Sequence, residues 1–215
     1  MEAIGYDEVV RMIRGAASEI RANREHLSKL DSATGDGDHG TAMLRAMEAA
    51  EKAVADARPP AIAPMLEAVA WGIMGAAGGA PGPLLGSFFL GMSEAVGERQ
   101  TLDGPAVASM FEGGLAAMRK QTPAKPGDKT MLDALIPAVE ALRAATGAGP
   151  DVASAMKRAA DAAARGAEGT RDMQARFGKA RNLGERSKGT VDPGATSISC
   201  IFKGFADAVA ADKNT

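Results

Sequence analysis

The residues best suited to chemistry in this 215-residue chain lie in one stretch, Leu30-Asp31-Ser32-Ala33-Thr34-Gly35-Asp36-Gly37-Asp38-His39-Gly40. Three carboxylates fall within eight residues, with glycines between and beside them. In a helix Asp31 and Asp36 would diverge, because five residues advance the helix by about 140°. A glycine-bent turn lets all three converge on one point. Converged carboxylates repel unless a cation sits between them, and hard oxygen ligands select Mg²⁺ or Ca²⁺ before softer metals. A plain solvated Gly–Asp turn is the simpler alternative. Three aspartates plus a histidine between two helices favour the metal loop. No glutamate stands at the twelfth position counted from Asp36 or Asp38, so an EF-hand is excluded. Gly35 to Gly40 also fits G-x-G-x-x-G, but it follows a helical pattern rather than a strand, and its aspartates would repel a pyrophosphate. A metal placed between carboxylates and phosphates reverses that repulsion, which is how Mg²⁺ is commonly held.

Other loops could complete such a site. Gly75 to Pro83 is rich in glycine and proline, lets backbone approach a ligand, and then opens a helix whose N-terminus suits a phosphate. Alone it reads equally well as an interhelical turn. No G-x-x-x-x-G-K-[ST] string occurs, which excludes a P-loop. Asp128-Lys129-Thr130 reads as a cap with a nearby cation, or simply a helix start. Leu183 to Ser187 and Asp192 to Ser197 lie close together in sequence, the second being a cap followed by small residues. Of the two histidines, His26 sits among charges and reads as a solvated side chain. His39 lies in the metal loop, where phosphate contact is favoured over a role in the turn.

The elements that must position these loops are helical. Val9, Val10, Ile13, Ala16, Ala17, Ile20 and Leu27 recur at spacings of three and four, predicting a helix over about 6–30. Further helices are expected over 41–57, from near Pro64, over 84–96, from Asp103-Gly104-Pro105, over 130–145, from Asp151, and from Pro193 to about 211. Pro137 predicts a kink or break in the sixth. No run alternates with period two over a strand's length. The expectation is an all-α single domain spanning 1–215, with eight helices and chemistry in the glycine-rich loops 35–40, 72–86, 126–128 and 178–194.

Composition sets outer bounds. Hydrophobic residues make up 46% and charged residues 24%, enough for a core. With 25 basic against 27 acidic residues the net charge is −2, which argues against a nucleic-acid partner. The single cysteine, Cys200, suits a reducing compartment. The charged first thirty residues form no signal-peptide core, and no apolar run reaches the length of a membrane span. A soluble cytoplasmic protein is expected.

Taken in order, the loops resemble the L subunit of dihydroxyacetone kinase. The strings that carry the resemblance are Gly35 to Gly40, Gly82-Pro83-Leu84-Leu85-Gly86-Ser87-Phe88-Phe89, Pro126-Gly127-Asp128-Lys129-Thr130-Met131, Leu183-Gly184-Glu185-Arg186-Ser187 and Asp192-Pro193-Gly194-Ala195-Thr196-Ser197. The resemblance implies an eight-helix antiparallel barrel with a nucleotide and Mg²⁺ site at one end. It implies two Mg²⁺ ions on Asp31, Asp36 and Asp38, which with His39 form the catalytic set. It places ADP or ATP against His39, Gly40, Thr41, Ala42, Gly79, Ala80, Pro81, Thr122, Met131, Lys179, Asp192, Pro193 and Gly194. Family members commonly carry serine where Pro81 stands, asparagine or threonine at Ala42, and arginine at Lys179. Proline removes a hydroxyl and an N–H, and lysine loses bidentate geometry.

The activity implied is phosphoryl transfer to a small ketose held by a separate sugar-binding K subunit, catalysed by positioning and charge neutralisation. The ADP would be recharged in place by a phosphohistidine protein of the phosphotransferase system, a role that suits a free-standing subunit of this length. Alternatives are an ATP-dependent kinase subunit for another ketose such as a tetrulose, or an ADP-sensing module that binds a regulator. A cation-binding helical protein without nucleotide is a third. A homodimer is left open.

Overall fold

The computed structural model describes residues 1–58, 60–149 and 151–211. Eight α-helices are found among them: α1 (Tyr6–Ser32), α2 (His39–Asp56), α3 (Ile62–Ala76), α4 (Pro81–Val96), α5 (Gly104–Lys120), α6 (Leu132–Ala148), α7 (Val152–Gly169) and α8 (Pro193–Ala210). Each packs on the next in sequence, and α8 packs against α1, so the helices form a closed ring. The ends of α1, α3, α5 and α7 come together with the starts of α2, α4, α6 and α8, so successive helices run antiparallel. The centre is filled by apolar side chains, among them Phe88 and Phe89 of α4, Phe111 of α5, and Phe202 and Phe205 of α8. Ring centroids in this cluster lie 5.4–6.1 Å apart, in tilted and edge-on pairs.

The apolar stripe of α1 predicted from spacing is buried throughout, as is the face of α7 formed by Val152, Ala155, Met156, Ala159 and Ala163. Ring closure depends on small residues. Gly15 of α1 and Gly204 of α8 meet backbone to backbone, leaving no room for a Cβ on either. Asp103 caps α5 by accepting the Ala106 N–H at 2.9 Å, as the Asp-Gly-Pro sequence predicts.

Three features differ from expectation. A two-stranded antiparallel pair exists, β1 (Ala3–Gly5) with β2 (Thr101–Asp103), in the register Ile4 opposite Leu102. Three residues are too few to show alternation in sequence. α6 runs through Pro137 without a break. The carbonyl that Pro137 leaves without its intrahelical donor is that of Asp133, and Gly166 of α7 packs directly against it. The 178–194 stretch, expected as loop, contains 3₁₀ turns over Lys179–Ser187, interrupted at Gly184.

Alternating connections gather at opposite ends of an antiparallel ring. The α1–α2, α3–α4, α5–α6 and α7–α8 connections share one end. The other end holds the β1–β2 pair and the Met1 ammonium bonded to the Asp151 carboxylate at 2.8 Å. The four glycine-rich loops therefore meet at one end because of helix count and direction alone. No helix among the described residues is long and apolar enough to cross a membrane.

Candidate functional site

The acidic loop is built by its glycines. At the end of α1 the N–H groups of Thr34 and Gly35 both close on the Asp31 carbonyl, at 3.0 and 2.5 Å. Gly37 adopts φ +79°, a left-handed conformation, and a Cβ there would strike the Ser32 hydroxyl. These bends bring a carboxylate oxygen from each of Asp31, Asp36 and Asp38 within 4.8 Å of one another. Asp31 is half-buried and accepts the His39 N–H at 3.2 Å, while Asp36 and Asp38 face solvent. The Lys179 ammonium bonds Asp36 and lies 4.0 Å from Asp38. That hydrogen bond holds the Asp36 carboxyl below its ordinary range and pushes Lys179 up.

Three acceptor-only carboxylates fit a hard divalent cation. A single Mg²⁺ with ligands at about 2.1 Å spans about 4.2 Å between opposite oxygens. A set spread over 4.8 Å thus fits either one ion after slight contraction or two ions sharing carboxylates. These are the residues that would hold the metal.

His39 opens α2 and is buried, with Nε2 2.7 Å from the Ser197 hydroxyl of α8. Ser197 donates its own proton to the Pro193 carbonyl at 3.0 Å, which leaves its oxygen able to accept from Nε2. Burial lowers the His39 pKa against the opposing pull of Asp31 and Asp38. The ring ties the acidic loop to α8.

Beside the loop lies a cleft of about 520 Å³. Asp31, Asp36, Asp38, His39, Ala42, Gly79, Ala80, Pro81, Thr122, Met131, Lys179, Asp192, Pro193 and Gly194 all line it. Two foreseen residues do not. Gly40 is buried where a Cβ would meet the Arg24 carbonyl, which lets α2 start tightly against α1; Thr41 is half-buried outside the lining. At the start of α4, Pro81 and Pro83 lack N–H groups, so among the first three helical residues only Gly82 can donate. Asp192 caps α8 through the Ala195 N–H at 2.7 Å. The residue is half-buried in the cleft wall. Desolvation pushes its carboxyl up to about 7, although the capping N–H and the Lys129 charge pull the other way.

Met118, Leu132 and Phe177 also line the cleft, giving it apolar walls that sequence reasoning did not assign. Phe177 carried a signal, being the single aromatic between Phe111 and Phe202 and lying in a polar loop. Lys129, read as a helix-start cation, is only 2% exposed and lines the cleft, and nothing in its neighbours' types announces that.

A closed ring of helices with a carboxylate cluster and a largely apolar cleft at one end is an architecture suited to a divalent cation beside an anionic ligand. Comparison with known proteins places it more narrowly. Residues 33–207 match the DAK2 domain, and the chain belongs to that family. It is 34% identical to the ADP-binding subunit of a PEP-dependent dihydroxyacetone kinase of Listeria innocua, over 91% of this chain and 93% of that one. It is 35% identical to the corresponding Escherichia coli subunit over the same shares. It is 34% identical to a D-erythrulose kinase of Mycolicibacterium smegmatis, covering 94% of this chain but 35% of that one. In structure it matches the dihydroxyacetone kinase of C. freundii in complex with AMP-PNP and Mg²⁺, with a TM-score of 0.72 and 27% identity over 93% of this chain and 33% of that one. The unit thus occurs both as a whole subunit and as about a third of longer kinases. The all-α architecture and the resemblance read from the loops both stand.

Proposed function

We propose that this chain is the nucleotide-carrying part of a small-ketose kinase, holding ADP or ATP through two Mg²⁺ ions in the cleft. The observation that carries this reading is the convergence of Asp31, Asp36 and Asp38 beside a cleft of nucleotide size, in a chain that aligns over 91% of its length with ADP-binding kinase subunits. Bound Mg²⁺ would neutralise phosphate charge during transfer of the terminal phosphoryl group. Asp31, anchored by the His39 N–H, fixes one ligand, while the exposed Asp36 and Asp38 can adjust to the phosphates. Lys179 is placed to follow the phosphates, since its present partners are those same carboxylates. Met118, Leu132 and Phe177 offer apolar surface to a nucleobase.

The ketose would be held by a separate sugar-binding subunit. Supporting this, the chain corresponds to only 33% of the C. freundii kinase, leaving two thirds of that polypeptide with no counterpart here. Relatives named as PEP-dependent or PTS-dependent support ADP recharged in place by a phosphohistidine protein. Relatives named as erythrulose kinases, at 33–37% identity, favour a second reading in which a tetrulose is the acceptor and ATP exchanges freely.

The test is reconstitution. The purified chain is mixed with a K subunit, dihydroxyacetone or erythrulose, and either ATP or a phosphohistidine donor. Sugar phosphate formed only when all parts are present is the expected result. Binding of ADP without product from any pairing would instead favour an ADP-sensing module. Extensive dialysis with Mg²⁺ separates the two modes of nucleotide use: retained ADP marks the recharged coenzyme, and rapid loss marks exchange with ATP.

A further inference from the structure

Among the described residues Lys129 is the single non-glycine with positive φ, at 61°. A long side chain held in the left-handed region stands against its backbone preference, so the surroundings must impose it. The surroundings are specific. The Asp133 carboxylate grips the loop on both sides of Lys129, accepting the Gly127 N–H at 2.5 Å and the Thr130 N–H at 2.7 Å. The buried ammonium donates to the carbonyls of Thr170 at 2.9 Å and Thr190 at 2.5 Å. Those carbonyls stand at the two ends of the connection between α7 and α8. Between them, residues 171–189 supply Phe177, Gly178, Lys179 and Ala180 to the cleft lining. Thr170 also accepts the Asp192 N–H on its hydroxyl at 2.8 Å, joining this neck to the cap of α8.

We propose that Lys129 is a positioning residue for the nucleotide cleft, its buried ammonium closing the neck of the 170–190 lobe and so holding Asp192 in place at the cap of α8. The proposal rests on the reading of the cleft as a nucleotide site. The Gly189 N–H already closes on the Arg171 carbonyl at 2.8 Å, and the Lys129 ammonium, with donors enough for both remaining carbonyls and one to spare, ties the neck to the α5–α6 connection. The charge also bears on Asp192, whose half-buried carboxyl is pushed up to about 7 by desolvation and drawn down by Lys129. The groups facing this pair are Lys129 from the α5–α6 connection, Asp133 from α6, and Arg171 and Asp172 from the start of the lobe. Among these Lys129 is the one that favours the Asp192 carboxylate, and Asp133 opposes it.

The experiment compares the full chain with Lys129→Met, which keeps the stem and removes the charge, and Lys129→Arg, which keeps the charge. Amide hydrogen exchange is measured without nucleotide, and ADP affinity with Mg²⁺ is measured from pH 5.5 to 8.5. In Lys129→Met, exchange over 173–189 is expected to quicken at least tenfold while α1 to α5 stay protected. ADP binding is expected to weaken at least tenfold at pH 7, and the pH at which affinity half-develops moves upward. Lys129→Arg is expected to keep that midpoint near the wild-type value. Unchanged exchange in Lys129→Met overturns the neck; weakened binding with an unmoved midpoint overturns the link to Asp192. If the chain binds no ADP at all, the nucleotide reading fails and the exchange data still decide the neck. If Lys129→Met does not fold, wild-type amine acylation decides it: Lys129 is expected to react at least a hundredfold more slowly than exposed lysines, and equal reactivity overturns the proposal.

Discussion

At the residue scale the site rests on three carboxylates that share little beyond their nearness. Asp38 precedes α2 without making a side-chain cap bond and is exposed. Its replacement by Asn should therefore leave stability within about 0.5 kcal/mol, as for surface changes generally. Removing one of three anionic ligands should cut Mn²⁺ affinity at least tenfold, measured by calorimetry beside a thermal melt. Asp192 behaves differently, because its folded-state carboxyl is raised to about 7 from the ordinary 3.8. An acid whose pKa rises on folding binds more protons folded than unfolded. Its contribution to stability is present below about pH 4 and is lost as pH rises through about 7. Asn caps a helix about as well as Asp without titrating. Asp192→Asn should then raise the melting temperature at pH 8 by a few degrees and change it little at pH 4. Equal shifts at both values would show that the carboxylate is not strained. The acidic loop was legible because glycine and aspartate declare both bend and charge. The burial of Lys129 was not, because a lysine's default is solvent and only tertiary contacts reverse it.

The helices themselves read well from sequence, since period and caps are local signals. Observed starts and ends differ from the expected ones by about three residues or fewer, the scale on which termini fray. What local signals could not supply was how closely the helices pack. Gly15 and Gly204 occupy ordinary positions in their own helices and become meaningful only where α1 meets α8. A methyl group on Gly204 would meet the Gly15 backbone, which cannot yield as a flexible side chain can. Gly204→Ala should cost about 1–3 kcal/mol, the usual penalty of overpacking, read as a lowered urea midpoint with unchanged slope. Because His39 bridges α2 to Ser197 on α8, separation of α8 from α1 should also disturb the acidic loop. The same variant should therefore bind Mn²⁺ more weakly although no ligand has been touched. The path from Pro137 to Gly166 belongs to this scale too: a proline that sequence reads as an interruption is accommodated by a neighbouring helix.

For the molecule as a whole, eight alternating helices separate two jobs. One end is fastened by the β1–β2 pair and the Met1–Asp151 ion pair, and the other collects every motif that could touch a ligand. That division predicts how ligands should act on global stability. Three carboxylates within 4.8 Å would bind a divalent cation at the cost of crowding, and the cleft would take a diphosphate against those same negative charges. Each ligand alone meets an incomplete site, whereas together metal and phosphate neutralise one another. Binding to the folded chain stabilises it by about 2.7 kcal/mol at a hundredfold excess over Kd. Mg²⁺ and ADP added together should therefore raise the melting temperature by more than the sum of their separate shifts. Mg²⁺ with adenosine, which has the base but no phosphates, should show only additive shifts. A purely additive result with ADP would mean that the carboxylates and the phosphates do not share a metal, and would remove the physical basis for placing phosphoryl transfer at this end of the barrel.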